Sequence, residues 1–274
     1  MMKGRETRQN GIFRGIIRWA PLPLTLMNTD EYDRMFRLED EHWWFVARRN
    51  LLEAALNRFP IPVPESRSPR LLDVGCGTGG TLDRLRQYGD VIGIDTEARA
   101  LAFCVARGYR NLALASATAL PFANDTFEAA VALDVLEHIP DDVAAVCEIS
   151  RTLVPGGIAF ITVPAYRMLW SRHDVALMHQ RRYVSREVGA LLTGAGLEIL
   201  RLSYTVSAIL PAVATIRGAQ RLLRPNAPPA ADVRPTPAAL NRTLRALLDV
   251  EGKLALSSGL PFGLTVFAAA RKPR

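Results

Sequence analysis

Lysine is almost missing from this chain: three stand against thirty-one arginines. With no recognised nucleic-acid motif and no basic stripe interleaved with aromatics, that arginine excess does not read as a nucleic-acid surface. Cysteine is equally sparse. Cys76, Cys104 and Cys147 lie far apart and at no metal-ligand spacing. A disulfide scaffold and a cysteine metal centre are therefore excluded, and a reducing cytoplasm is the default expectation. Long apolar runs are lacking too. The stretch around Ile12, Phe13, Ile16, Ile17 and Trp19 is cut by Arg14 and Arg18, so it is neither a secretory core nor a membrane span. Further on, only the residues between Arg201 and Arg217 stay uncharged, short of the roughly twenty that a span needs. No Tyr-x-x-x-Lys pair occurs anywhere.

What is present is a chain of 274 residues, 49% hydrophobic, enough for one full α/β domain plus an elaboration. The net charge of +7 is uneven: +4 over residues 1–29, −5 over 30–200 and +8 over 201–274. A mildly acidic middle flanked by basic ends with apolar neighbours points to an anionic surface or an anionic substrate, and peripheral membrane contact through those ends is one expectation.

The middle is organised around Arg70-Leu-Leu-Asp-Val-Gly-Cys-Gly-Thr-Gly-Gly80. Leu71, Leu72 and Val74 form a short apolar run of the kind that makes a buried parallel strand. Gly75, Gly77, Gly79 and Gly80 break it, and helix-like sequence resumes over 81–87. A strand, a glycine turn and a helix start make a cradle for a nucleotide-like ligand, because glycines allow close backbone approach and a helix end offers free N–H groups. The spacing of Gly75, Gly77 and Gly80, with Asp95 twenty positions after Gly75, also fits a dinucleotide fingerprint. Asp73 separates the readings. A carboxylate at the end of a doubly buried strand suits a ligand with positive charge, whereas a dinucleotide brings a pyrophosphate.

In these residues the chain resembles the class I S-adenosylmethionine-dependent methyltransferases, whose first motif is often Leu-Asp-x-Gly-x-Gly-x-Gly. A second block supports the likeness: Leu120-Pro-Phe122, then Asp134-Val-Leu-Glu-His-Ile139, similar to the family's fourth-strand region. The resemblance implies an α/β, Rossmann-like fold: a seven-stranded, mostly parallel sheet with an antiparallel last strand and helices on both faces. It implies S-adenosyl-L-methionine as cofactor, with Asp73, Gly75, Cys76, Gly77 and Gly79 at the methionine end. Asp95 and Thr96 would meet the ribose, Ser116 and Ala117 the adenine, and Asp134 would border the methyl. Ser116 stands where the family often has an acid.

Glu137 and His138 follow the fourth strand, at the edge where open α/β sheets bind ligands, and His138 is a candidate general base or a turn cap. The segment from Trp170 to Tyr183 crowds Arg172, His173, Asp174, His179, Arg181, Arg182 and Tyr183. His173, His179, Arg182 and Tyr183 are substrate-side candidates. No metal is expected, since His173, Asp174 and His179 lack a fourth ligand. A subgroup of the family looks similar both here, in His-x-Arg-Arg-Tyr, and at His42-Trp-Trp-Phe45, which implies that the two segments meet over one pocket.

The organisation expected is a basic extension over 1–29, disordered or interfacial; one helix over 30–59 and a proline-rich linker to 69; a donor-binding domain over 70–205 and 264–274; and a helical insertion over 206–263. That insertion reads as core packing, a membrane-facing element or a dimer contact. The acceptor is a small or lipid-linked molecule, with oxygen, nitrogen and carbon all open as the methylated atom. A dehydrogenase and a non-catalytic binding module are the rival readings.

Overall fold

The computed structural model describes residues 15–18, 29–224, 226–231 and 233–274. Apolar runs become the strands β1 (Gly15–Arg18), β2 (Arg70–Val74), β3 (Asp90–Asp95), β4 (Asn111–Leu114), β5 (Phe127–Leu133), β6 (Leu153–Pro164), β7 (Glu198–Thr205) and β8 (Thr265–Arg271). They form one sheet in the order β1-β4-β3-β2-β5-β6-β8-β7. All pairings are parallel except those of β8, which runs against β6 and β7. Helices cover both faces, so every residue of β5 is buried and its sequence is continuously apolar apart from Glu128. Glu128 is the exception that proves paired: Arg67 grips its carboxylate at 2.7 and 3.0 Å. Phe127, Phe160 and Phe267 sit at the centre of the core.

The sheet is the expected seven strands with one addition. β1 pairs with β4 at the outer edge, Gly15 opposite Asn111. Those four residues belong to the basic stretch expected as a disordered or interfacial extension, and for them a strand replaces that expectation. Residues 1–14 and 19–28 lie outside the described residues.

The helix expected over 30–59 is two helices, α1 (Thr29–Leu38) and α2 (Trp43–Arg58). The break has a local cause. His42 caps α2, its Nδ1 accepting from the Trp44 N–H, and Glu39 turns inward instead of continuing the first helix. The chain after the glycine turn forms only a short helix, α3 (Leu82–Leu85), followed by α4 (Ala98–Ala106) and α5 (Asp142–Thr152), which Asp141 caps through the Ala144 N–H. Next come α6 (Arg172–Ala176) and α7 (Ser185–Gly194).

The chain leaves β2 for β3 and β4 on one side, then returns to β5 on the other. This reversal opens a crevice beyond the carboxyl ends of β2 and β5, where open α/β sheets bind ligands. The insertion closes over it as α8 (Leu210–Leu223) and α9 (Ala238–Ser257). α9 lies along α2: Gly252 seats Leu51, and Asn50 Nδ2 donates to Asp249 at 2.8 Å. α8 has no buried residue. Its start is fixed by buried Glu251 of α9, whose two oxygens accept from the N–H groups of Ser207 and Ala208 at 2.6 and 3.0 Å. No helix among the described residues is long and apolar enough to cross a membrane.

Replacing Glu251 with Ala strands two backbone donors. The expected loss is about 1–3 kcal/mol, read as a fall in Tm of about 2–4 °C per kcal/mol with the sheet's circular-dichroism signature retained.

Candidate active site

A cavity of about 860 Å³ occupies the crevice. Its floor is the carboxyl edge of the sheet, its walls are α1, α2 and the segment 164–182, and its roof is α8 with the chain leading into α9.

The glycine turn forms the inner wall. Gly75 and Gly77 have φ of +68° and +53°, a region costly for side chains, and a Cβ on Gly75 would meet Val135 at 2.6 Å. Cys76 donates its backbone N–H to Ile94 at 2.8 Å, while Gly77 donates to Asp95 Oδ2 at 3.0 Å. The turn is buttressed from outside by α1. Glu39 accepts from the Thr78 hydroxyl and from Arg107 at 2.8 Å, and Arg49 donates to the Glu39 carbonyl at 2.6 Å. Met35 covers Gly77. Gly79 does not line the cavity: its bare Cα lets Cys104 and Arg107 pack close, so its role is packing rather than the ligand contact expected.

Three carboxylates converge at the strand ends. Asp73 is buried, and its Oδ2 has no hydrogen-bond partner among the described residues. Burial pushes its pKa up to about 8, with Arg48 pulling the other way. Asp95 is also buried; it accepts from Gly77 and Glu97, and burial still raises it to about 6. Asp134 stands at φ 56°, strained for a non-glycine residue. Its side chain is held by Arg48 Nη1 at 2.6 Å and by the Thr162 hydroxyl at 3.0 Å. Thr96, Ser116 and Ala117 complete that wall as expected; Ser116 is tied to Thr118, its Oγ accepting the Thr118 N–H at 3.2 Å.

The opposite wall brings together the two segments that the sequence paired. Trp43, Trp44 and Phe45 face the cavity, the two indoles edge-on at 5.7 Å between ring centroids, across from His138, His173, His179 and Arg182. Asp174 is the hub of that side. It accepts from His179 Nδ1 at 2.9 Å, Arg182 Nε at 2.6 Å and the Ser171 N–H at 2.7 Å. Burial opposes its charge, but the His179 hydrogen bond and Arg182 outweigh burial and hold the carboxyl below its ordinary range.

Two expectations need correction. Tyr183 does not face the cavity. Its phenol is buried and donates to the Leu136 carbonyl or Asp142 at 3.2 and 2.8 Å, so it clamps the turn after β5 instead of touching an acceptor. Burial, then neighbouring His179, pushes the pKa of His138 down to about 3, which makes the ring a weak proton acceptor rather than the well-matched base expected.

The sequence reading missed Glu39 and Arg48. Glu39 had a signal, since it is an acid inside the otherwise apolar helical stripe of Tyr32, Phe36 and Trp43. Arg48 had a weaker one: it lies four positions after Trp44, on the same helix face.

With the geometry in view, known proteins place the chain. The methyltransferase-domain family profile matches residues 72–161. Residues 72–161 are a methyltransferase domain. An O-methyltransferase of Aspergillus nomiae is 31% identical over 128 residues, 42% of this chain and 57% of that protein. The chain spans about half the length of the curated relatives it matches. The crystal structure of the [4+2]-cyclase SpnF superposes with a TM-score of 0.55 at 20% identity, covering 93% of this chain and 99% of that one. The phosphoethanolamine N-methyltransferase 2 of Haemonchus contortus, solved with phosphomonomethylethanolamine and S-adenosylhomocysteine, gives 0.52 at 19%, covering 83% and 53%. At these identities the structural likeness is one of fold. The methyltransferase domain's cofactor is S-adenosylmethionine, and the cavity fits it: a buried carboxylate oxygen without a donor faces a turn that side chains would fill.

The raised pKa values have a sign. A carboxyl raised by folding stabilises fully below its ordinary value and loses that contribution as pH climbs to its folded pKa. The ligand-free protein therefore weakens from about pH 4 toward about pH 8 through Asp73 and Asp95. Asp73→Asn flattens that fall and raises Tm at neutral pH, by about 2–4 °C per kcal/mol relieved; an unchanged Tm–pH curve contradicts the burial of its charge. Tyr183→Phe lowers stability by about 1–3 kcal/mol and leaves donor affinity unchanged by calorimetry.

Proposed function

We propose that the protein transfers the methyl group of S-adenosylmethionine to a hydroxyl of a small or lipid-linked acceptor held beneath α8. The carrying observation is Asp73, a carboxylate buried without a hydrogen-bond donor for Oδ2 among the described residues, beside a turn stripped of side chains. When bound, S-adenosylmethionine supplies a methyl group made electrophilic by a sulfonium charge.

The residues of the chain bind, orient and keep water out. Asp73 answers the cationic end of the donor, and Gly75 and Gly77 leave backbone open to it. Asp95 offers its remaining lone pairs to the ribose hydroxyls, and Ser116 and Ala117 border the adenine. Asp134, fixed by Arg48 and Thr162, keeps negative charge next to the reacting end. Trp43, Trp44 and Phe45 wall off solvent, so positioning and exclusion of water carry the rate. His173, His179 and Arg182 face the acceptor.

Oxygen as the acceptor atom is supported by the name of the Aspergillus nomiae relative. A lipid-linked acceptor is supported by α8, which exposes Ile216, Leu222 and Leu223 on a helix that also carries Arg217 and Arg221. Flotation with anionic liposomes at low salt tests that half; no co-flotation leaves the small soluble acceptor.

Calorimetry tests the donor half. S-Adenosylhomocysteine binds and NADH does not, and Asp73→Ala weakens S-adenosylmethionine binding by about tenfold or more. That affinity rises from about pH 6 to pH 8 as Asp95 and Asp73 ionise for a cationic ligand. Binding of NADH alone, or an Asp73→Ala variant with unaltered affinity, overturns the assignment. Release of S-adenosylhomocysteine over a panel of phenols, small hydroxy acids and lipid-linked sugars then identifies the acceptor.

A further inference from the structure

The turn after β5 buries a group that donor binding does not use. Glu137 lies in the single helical turn Leu136–His138 and is completely buried. Neither of its carboxylate oxygens has a hydrogen-bond partner among the described residues. Leaving both oxygens of a buried carboxylate bare is costly, and the fold nevertheless fastens it there. The backbone N–H of Gln180 donates to the Glu137 carbonyl at 2.7 Å, and Tyr183 clamps the Leu136 carbonyl.

That same fastening delivers two imidazoles. The ligand-capable atoms of Glu137, His138 and His179 all lie within 4.8 Å of one another, the one such grouping found among the described residues. The rings of His138 and His179 stand edge-on with centroids 4.7 Å apart. The His179 ring is already oriented through one nitrogen. His179 Nδ1 is hydrogen-bonded to Asp174 Oδ1 at 2.9 Å, which leaves Nε2 for another partner. The Leu177 carbonyl lies beside the His138 ring. Imidazoles that ligate metals are oriented in this way, by a carboxylate or carbonyl on the far nitrogen. Asp174 is itself immobilised by Arg182 and Ser171, so the His179 ring has little freedom.

The local charge has the right sign. Asp134 and Glu137 are the acids nearest the grouping, with Asp174 behind His179; the nearby guanidinium groups of Arg48 and Arg182 are engaged by Asp134 and by Asp174. One divalent cation would join the three inner groups. Tetrahedral ligands at about 2.0–2.2 Å from a zinc-sized ion stand roughly 3.4 Å apart, a contraction that falls to Glu137 and His138 turning toward the fixed His179 ring.

We propose that Glu137, His138 and His179 form a divalent-metal site of zinc-type chemistry, positioned by Asp174, whose open coordination position faces the acceptor side of the cavity. Two imidazoles and one carboxylate are a donor set for zinc and neighbouring transition metals, and three protein ligands leave room for a fourth. All three residues line the cavity, so an acceptor can reach the ion. The consequence for catalysis rests on the methyltransfer reading: a cation there acidifies an acceptor hydroxyl. Metal binding itself does not rest on that reading.

The test is titration of chelator-stripped full-length protein with Co²⁺ and Zn²⁺, followed by calorimetry and by the visible absorption of bound Co²⁺. The wild type takes up one equivalent with a tetrahedral cobalt spectrum. Glu137→Gln and His179→Ala weaken uptake by about 100-fold, and Asp174→Asn by about 10- to 100-fold. Circular dichroism and Tm, measured on the same samples, certify that each variant is folded, and S-adenosylhomocysteine binding is measured alongside. Cobalt uptake equal in the wild type and in a folded Glu137→Gln/His179→Ala double variant overturns the site. A wild type that takes up cobalt but no S-adenosylhomocysteine retains the metal site and overturns the methyltransfer reading instead.

Discussion

Carboxylates dehydrated at the edge of a sheet are the constraint to which the rest of this molecule answers. Asp73, Asp95 and Asp134 end three strands within one crevice, and each meets it differently. Asp134 has a guanidinium and a hydroxyl; Asp95 has two backbone N–H groups; the Oδ2 of Asp73 has no partner among the described residues. Burying a charge unpaired costs several kcal/mol in a medium of low polarity. The cationic donor proposed above would supply the missing partner. Arg48 is placed where it tempers the crevice yet spends its hydrogen bonds on Asp134 and the Leu133 carbonyl rather than on Asp73.

Around that edge the supporting structure is concentric. The glycine turn shapes the inner wall, and Glu39, the residue after α1, stiffens the turn from behind. The helix α2 contributes the aromatic wall and Arg48, and α9 then packs on α2. A segment distant in sequence is thus three contacts from the ligand.

Much of this was legible in the residues. β2, β3 and β5 are legible because buried parallel strands are continuously apolar and these runs are short and bounded by turn residues. The pocket-facing role of Asp73 was legible from charge alone. Three things were not. A four-residue edge strand, Gly15–Arg18, looks like any short basic-apolar stretch until β4 is beside it. The orientation of Tyr183 depends on Asp142, forty-one positions away, and sequence spacing carries no trace of that bond. The neighbours Glu137 and His138 could be read only as facing a site; that His179 joins them depends on how residues 171–182 fold around buried Asp174.

The attachment of α8 has an evolutionary corollary. Arg217 and Arg221 fasten this helix over the cavity by donating to the backbone carbonyls of Met168, Leu169 and Trp170, at 2.7–3.1 Å. Main-chain oxygen is present whatever residue occupies a position. The latch therefore does not depend on which side chains stand at 168–170, and the cover over the cavity survives changes of sequence beneath it.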